Sequence, residues 1–324
     1  MILLKDYLLL IVADLLLAAN FAVSRFYQKK AGTSLGSGFG YSAVSGFFTA
    51  LIFWCIGGFV FSYTPFSLLA AVILSLLGIT YVLLGFRIMK RQGMALYTLF
   101  LMTGGMTVPY IFGLIFLGEP FSVLRTVGIV VIIGGVFFSC VGSKRLDAVT
   151  LILCVAVFVL NGFVSVVSKL HSIETGYATV SPSAFVVLSG AVNCVIALVL
   201  QGITVIRSAI LRKKEKSSSK SDANDANEAN EANDTNEKTG KRSVWQTIAV
   251  WGIVPATSAL IGGLSSILQL TGAATLEASV LYPFITGGSI VFSALTGWLV
   301  FREPVTKNGV ISVVLAFAGT LMFL

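Results

Sequence analysis

A chain of 324 residues that is 56% hydrophobic and only 11% charged has no way to hide its apolar surface in soluble cores, so a bilayer has to serve as part of its solvent. The formal charge of +8 would suit a nucleic-acid partner, but the basic residues fall between apolar stretches and in one polar segment, which membrane topology explains without nucleic acid. Cys55, Cys140, Cys154 and Cys194 stand singly in apolar runs with neither disulfide nor metal-ligand spacing, and no metal or cofactor is expected.

A membrane-crossing helix takes about 20 apolar residues, and that length fits the chain ten times. The first span, Tyr7 to Val23, follows Lys5 and could pass for a signal peptide. Its ending, Asn20-Phe21-Ala22-Val23-Ser24, recurs as Asn161-Gly162-Phe163-Val164-Ser165 in the sixth span, which argues for a permanent helix opening a repeated unit. This span also carries Asp14, about seven residues or roughly 10 Å inside the apolar run. An isolated carboxyl at that depth is costly and is a functional-site candidate by default, here for proton exchange; the plain alternative is a carboxyl bonded to Ser, Thr or Tyr of a neighbouring helix.

The second and third spans run from Tyr41 to Tyr63 and from Phe66 to Ile88. The fourth, Met94 to Leu117, ends in Leu117-Gly118-Glu119-Pro120, and the fifth, Phe121 to Val141, carries Gly128 and Gly134-Gly135. The sixth runs from Ala148 to Ser168, the seventh from Ser183 to Ile206 and the eighth from Val244 to Leu270. The ninth, Ala278 to Val300, is followed by Phe301-Arg302-Glu303-Pro304, and the tenth, Val305 to Leu324, carries Ala318-Gly319. At an offset of 184 these last two spans repeat the fourth and fifth, Glu on Glu, Pro on Pro, Gly113 on Gly297 and Gly135 on Gly319.

The expected fold is therefore all-α and polytopic: ten transmembrane helices as two five-helix repeats, residues 1–146 and 147–324. Five is odd, so the second copy enters from the opposite face and the repeats are inverted, an arrangement that builds a binding site near the midplane and works by alternating access. The offset grows from 141 at Asn20 to 184 at Glu119 because the second copy holds an insertion, residues 207–243, whose Asp/Glu-Ala-Asn triplets flanked by Lys and Ser read as a disordered loop. Arg25, Lys29, Lys30, Arg87, Lys90, Arg91, Lys144, Arg145, Arg302 and Lys307 fall on the side of that loop, against Lys5, Arg125 and Lys169 on the other. The positive-inside rule makes the loop cytoplasmic and puts both termini outside.

Glu119 and Glu303 each precede a proline that opens a helix, the arrangement of a capping acid, and their recurrence suits a structural role better than transport chemistry. Tyr97, Gly105, Pro109 and Tyr110 of the fourth span, with Tyr282, Pro283, Thr286 and Ser289 of the ninth, combine backbone-loosening residues with hydroxyls and are candidates for a cavity wall, close packing being the alternative for each. Asn20 and Asn161 would bond substrate or hold helices together. Lys169 at the end of its span would snorkel to the interface or meet a substrate carboxylate, and His171 and Glu174 read as solvated loop residues.

Leu-Gly-Glu closing the fourth span, the glycine-bearing helix after it, Phe-Arg-Glu closing the ninth and Asn20-Phe21 late in the first together resemble the drug/metabolite transporter superfamily, in particular its EamA-like ten-helix members. The resemblance covers nearly the whole chain and implies a secondary transporter in the cell membrane, with substrates ranging across the superfamily from amino acids and sugars to cationic drugs. Asp14 is similar in place to an acid midway along the first helix of the small multidrug members, which binds protons and drug in competition. One histidine, with no HExxH, GxSxG or phosphate-binding loop, leaves no basis for an enzyme. The expected function is thus proton-coupled export of small metabolites or amphipathic drugs, with an uncoupled facilitator of amino acids or related metabolites as the alternative and a non-transporting scaffold as a distant one. With both repeats in one chain, a monomer suffices.

Overall fold

The computed structural model describes residues 2–32, 34–92, 94–139, 147–222, 249–299, 302 and 307–323, and every count below refers to these. They form ten α-helices and no strand: α1 Ile2–Ala31, α2 Leu35–Ile56, α3 Pro65–Gln92, α4 Met94–Phe116, α5 Val123–Ser139, α6 Ala148–Ile173, α7 Pro182–Asp222, α8 Val254–Thr275, α9 Ala278–Leu299 and α10 Lys307–Leu321. Seven of them are long and apolar enough to cross a membrane, and α10 with parts of α4 and α5 forms shorter apolar helices. The chain is an all-α membrane protein, and its many exposed Leu, Ile, Val and Phe side chains are what lipid-facing surfaces require.

The helix boundaries differ from the expected spans where polar sequence still favours helix. Residues 207–222, expected to be disordered, continue α7 to Asp222: Lys, Glu and Arg are good helix formers, and a long apolar segment has already started the helix. The remainder of the 207–243 segment lies outside the described residues, as does Glu303. A single π turn, Ala249–Ile253, leads into α8, where Pro255 interrupts the ordinary bonding pattern at the first turn.

Packing is dominated by pairings between the two halves of the chain. α2 lies on α7, α5 on α10 and α4 on α9; α1 packs on α8 and α9, while α6 packs on α3 and α4. Small residues set these approaches. A Cβ on Gly46 of α2 would stand 2.8 Å from the Gly190 carbonyl of α7, and one on Gly190 would stand 2.9 Å from the Ala50 nitrogen, so the backbones touch directly. Between α5 and α10, Gly128 faces the Gly319 carbonyl and Gly135 faces the Ser312 carbonyl. The two ends of the chain meet, Tyr7 donating from its hydroxyl to the Phe323 carbonyl at 3.0 Å.

Candidate functional site

A cavity of about 580 Å³ lies between the halves, walled by α1, α2, α3, α6, α7, α8 and the first turn of α9. Its lining alternates small residues, which leave the space open, with hydroxyls and amides. α2 contributes Tyr41, Ser42, Ser45, Gly46 and Thr49, and α7 contributes Phe185, Val186, Ser189, Gly190 and Asn193. Those two sets coincide position by position at an offset of 144, as do Asn20 and Ser24 of α1 with Val164 and Ser168 of α6. In α3 and α8 the matching offset is 184: Leu74, Ser75, Gly78, Ile79 and Val82 answer to Ser258, Ala259, Gly262, Gly263 and Ser266. On α8 and α9 the wall continues among the described residues through Gln269, Leu270 and Ala273 to Leu281 and Tyr282.

Ring pairs stand at the two ends, at positions 144 apart in the sequence. Tyr41 packs on Tyr27 of α1 with ring centroids 4.6 Å apart, and its hydroxyl lies 2.8 Å from Ser24 Oγ and donates to Ser258 Oγ at 2.5 Å. Ser258 in turn donates to Asn20 Oδ1. At the opposite end Phe185 stacks on His171 of α6 at 3.7 Å, and His171 Nε2 is 2.9 Å from Ser67 Oγ of α3. His171 is therefore not a solvated loop residue: α6 runs five residues past the expected end of its span at Ser168 and buries the imidazole between aromatic rings.

No family model matches the chain, and no curated protein matches it. A protein of known crystal structure shares the fold with a TM-score of 0.68 over 98% of this chain and 96% of that one, at 14% identity. At that identity the likeness shows the fold alone.

Of the ten residues expected around a cavity, Asn20 and Tyr282 line it; Tyr282 donates to the Ser165 carbonyl at 2.5 Å. Tyr97 and Tyr110 belong instead to an apolar cluster with Met106, Ile132 and Val157, Tyr110 exchanging a bond with Thr126 Oγ1 at 2.7 Å. Pro109 and Pro283 are fully buried, Thr286 is buried, and Ser289 donates to the Thr286 carbonyl at 2.9 Å. Gly105 faces Asn161, whose Nδ2 donates to the Leu101 carbonyl at 2.7 Å, so Asn161 ties α6 to α4 and does not line the cavity as Asn20 does. No residue of α4 lines the cavity among the described residues. What sequence reading missed was the serine-rich faces of α2, α7 and α8; the recurring Ser45-Gly46 and Ser189-Gly190 pairs were the available signal.

Asp14 is fully buried where α1 crosses α9, and neither carboxyl oxygen has a hydrogen-bond partner among the described residues. A Cβ on Gly288 would fall on Asp14 Oδ2, just as one on Gly104 would fall on the Phe158 backbone. Phe158 stands 144 residues after Asp14, as Ser168 stands after Ser24, and carries no acid. It sits one turn before Leu17 on α1 and outside the cavity lining.

Glu119 is a cap, but of a different helix from the one expected. α5 starts at Val123, and Glu119 accepts from the Ala278 and Ser279 backbone nitrogens at 2.6 and 2.8 Å, at the start of α9. Gly118, at φ 65°, turns the chain so that the carboxylate swings across, and Gly113 leaves room for it, since a Cβ there would meet Glu119 Oε2. Nearby, Arg125 pairs with Glu277, and Lys169, buried, donates to the Ala273 carbonyl at 2.8 Å and to that of Leu276. The α8–α9 turn thus has an ammonium at the carboxyl end of one helix and a carboxylate at the amino end of the next, each opposed to the local dipole.

Proposed function

We propose that the chain is a secondary transporter of ten transmembrane helices in two inverted five-helix repeats, working in the cell membrane by alternating access. One observation carries the reading: the cavity is walled by equivalent positions of the two halves and bounded at its ends by equivalent ring pairs, Tyr41 on Tyr27 and Phe185 on His171. The glycine contacts of α5 and α10 support the repeat as well, because Gly128 with Gly319 and Gly135 with Ser312 exchange into each other at an offset of 184. A pocket whose two ends are built alike can be opened at either by rocking one half on the other. Both termini are then extracytoplasmic, in keeping with the distribution of Lys and Arg.

In this reading the cycle exports a small metabolite in exchange for protons held at Asp14. A carboxylate there would be an uncompensated buried charge, so the acid releases its proton only when α1 moves against α9 and water reaches it. Because α1 carries both Asp14 and the lining residues Leu17 and Asn20, movement that accommodates substrate also moves the acid. The uncoupled facilitator is favoured by one observation, the absence of Asp14 from the lining.

The test uses purified protein in weakly buffered detergent, with a solute panel added to wild type and to Asp14→Asn. Proton release on binding in wild type alone supports exchange at Asp14. Binding without release in either protein removes the coupling and leaves the facilitator; failure of proteoliposomes to move any bound solute removes transport itself.

A further inference from the structure

Resting on the transporter reading, we propose that the cavity takes an uncharged solute rich in hydroxyl or amide hydrogens, of about monosaccharide to nucleoside size, and discriminates against organic cations and anions. Of the 32 described residues that line it, none is Asp, Glu, Lys, Arg or His, while 13 carry a hydroxyl and three a carboxamide. A net charge brought into such a wall gives up its hydration with no opposite charge to meet, a cost far above that of an uncharged polar group that finds hydrogen bonds. Asp14, buried on α1, is not in the wall.

The directions of the hydrogen bonds narrow the class further. Several wall hydroxyls spend their hydrogen on a protein carbonyl: Ser168 on Val164 at 2.9 Å, Ser266 on Gly262 at 2.9 Å and Tyr282 on Ser165 at 2.5 Å. Their oxygens keep lone pairs, so they serve a ligand as acceptors and favour one that donates. An anion offers no donors and would face these oxygens directly. Ser189 is the complement: it belongs to the wall, its Oγ lies beneath the wall surface with no partner among the described residues, and rotation of the side chain into the cavity offers a bound hydroxyl or amide both its functions. The volume of about 580 Å³ falls within the roughly 300–1,000 Å³ usual for small-molecule sites, and Tyr81, Phe185 and Tyr282 supply faces for the apolar side of a sugar or a base.

The experiment is calorimetric titration of the purified full-length chain with D-glucose, uridine, glycine, tetraphenylphosphonium and succinate, repeated on Ser189→Ala. Because Ser189 Oγ bonds nothing among the described residues, this variant should keep at least the wild-type melting temperature. The expected result is binding of glucose or uridine, weakened about three- to tenfold in Ser189→Ala, the worth of one neutral hydrogen bond. Asn193→Leu is the second probe, removing an amide of the wall. Binding of tetraphenylphosphonium or succinate that is weakened by either substitution overturns the proposal, as does a panel in which neither glucose nor uridine binds. If a neutral solute binds and proteoliposomes do not carry it, the ligand class stands and the transporter reading falls. If proteoliposomes carry only a charged solute, the reverse holds.

Discussion

Removing the carboxylate of Glu119 separates a structural cap from a transport residue. The side chain accepts two backbone bonds at 2.6 and 2.8 Å from the first turn of α9, where the helix dipole favours negative charge. A hydrogen bond to a charged group contributes about 1.5–3 kcal/mol. Glu119 is only half-buried, so water would replace part of what is lost, and the two bonds together are worth about 2–4 kcal/mol. Glu119→Ala should therefore lower stability by about that amount, and Glu119→Gln, which keeps one acceptor but turns an amide hydrogen toward a backbone N–H, by about 1–2 kcal/mol. Thermal unfolding in detergent reads the loss, and uptake into proteoliposomes, normalised to folded protein, reads activity. A cap predicts lower stability with activity per folded molecule kept. Wild-type stability in Glu119→Gln together with abolished transport would refute the capping role.

Four further substitutions test the packing and the site. Gly46→Ala would place a methyl 2.8 Å from the Gly190 carbonyl and 2.9 Å from the Cys194 nitrogen, so α2 and α7 must part at a cost of about 1–3 kcal/mol, whereas Gly134→Ala, with open space at its Cβ, should be neutral or slightly stabilising; thermal unfolding of the pair decides it. Lys169→Met strips the Ala273 and Leu276 carbonyls of their donor and should cost about 1–3 kcal/mol, with protease sensitivity appearing first at the α8–α9 turn. Tyr41→Phe removes the hydroxyl between Ser24 and Ser258 while keeping the ring on Tyr27; it should cost about 1 kcal/mol in stability and weaken solute affinity, and unchanged affinity by titration would take that end of the cavity out of recognition.

The sequence alone determined the solvent and the class of fold, since runs of apolar residues about one bilayer long admit little but helices. It also held, in its recurring glycines, places where helices touch: the α5–α10 contact has no room for a Cβ at Gly135 or at Gly319. That Glu119 has a capping role was expected from Glu119-Pro120, although the helix expected to open at that proline starts only at Val123. Which helix it caps was not, because the partner lies across the fold at Ala278 and only the turn at Gly118 aims it there. Tertiary structure likewise decided the cavity wall. Proline, glycine and tyrosine made α4 and α9 look like walls, yet most of α4 packs into apolar clusters, and single serines on α2, α7 and α8 converge on the cavity from three directions. A serine in an apolar helix carries no sign of which way it faces, since its hydroxyl can be satisfied by its own backbone. Only the crossing of the helices selects the ones left open to a ligand.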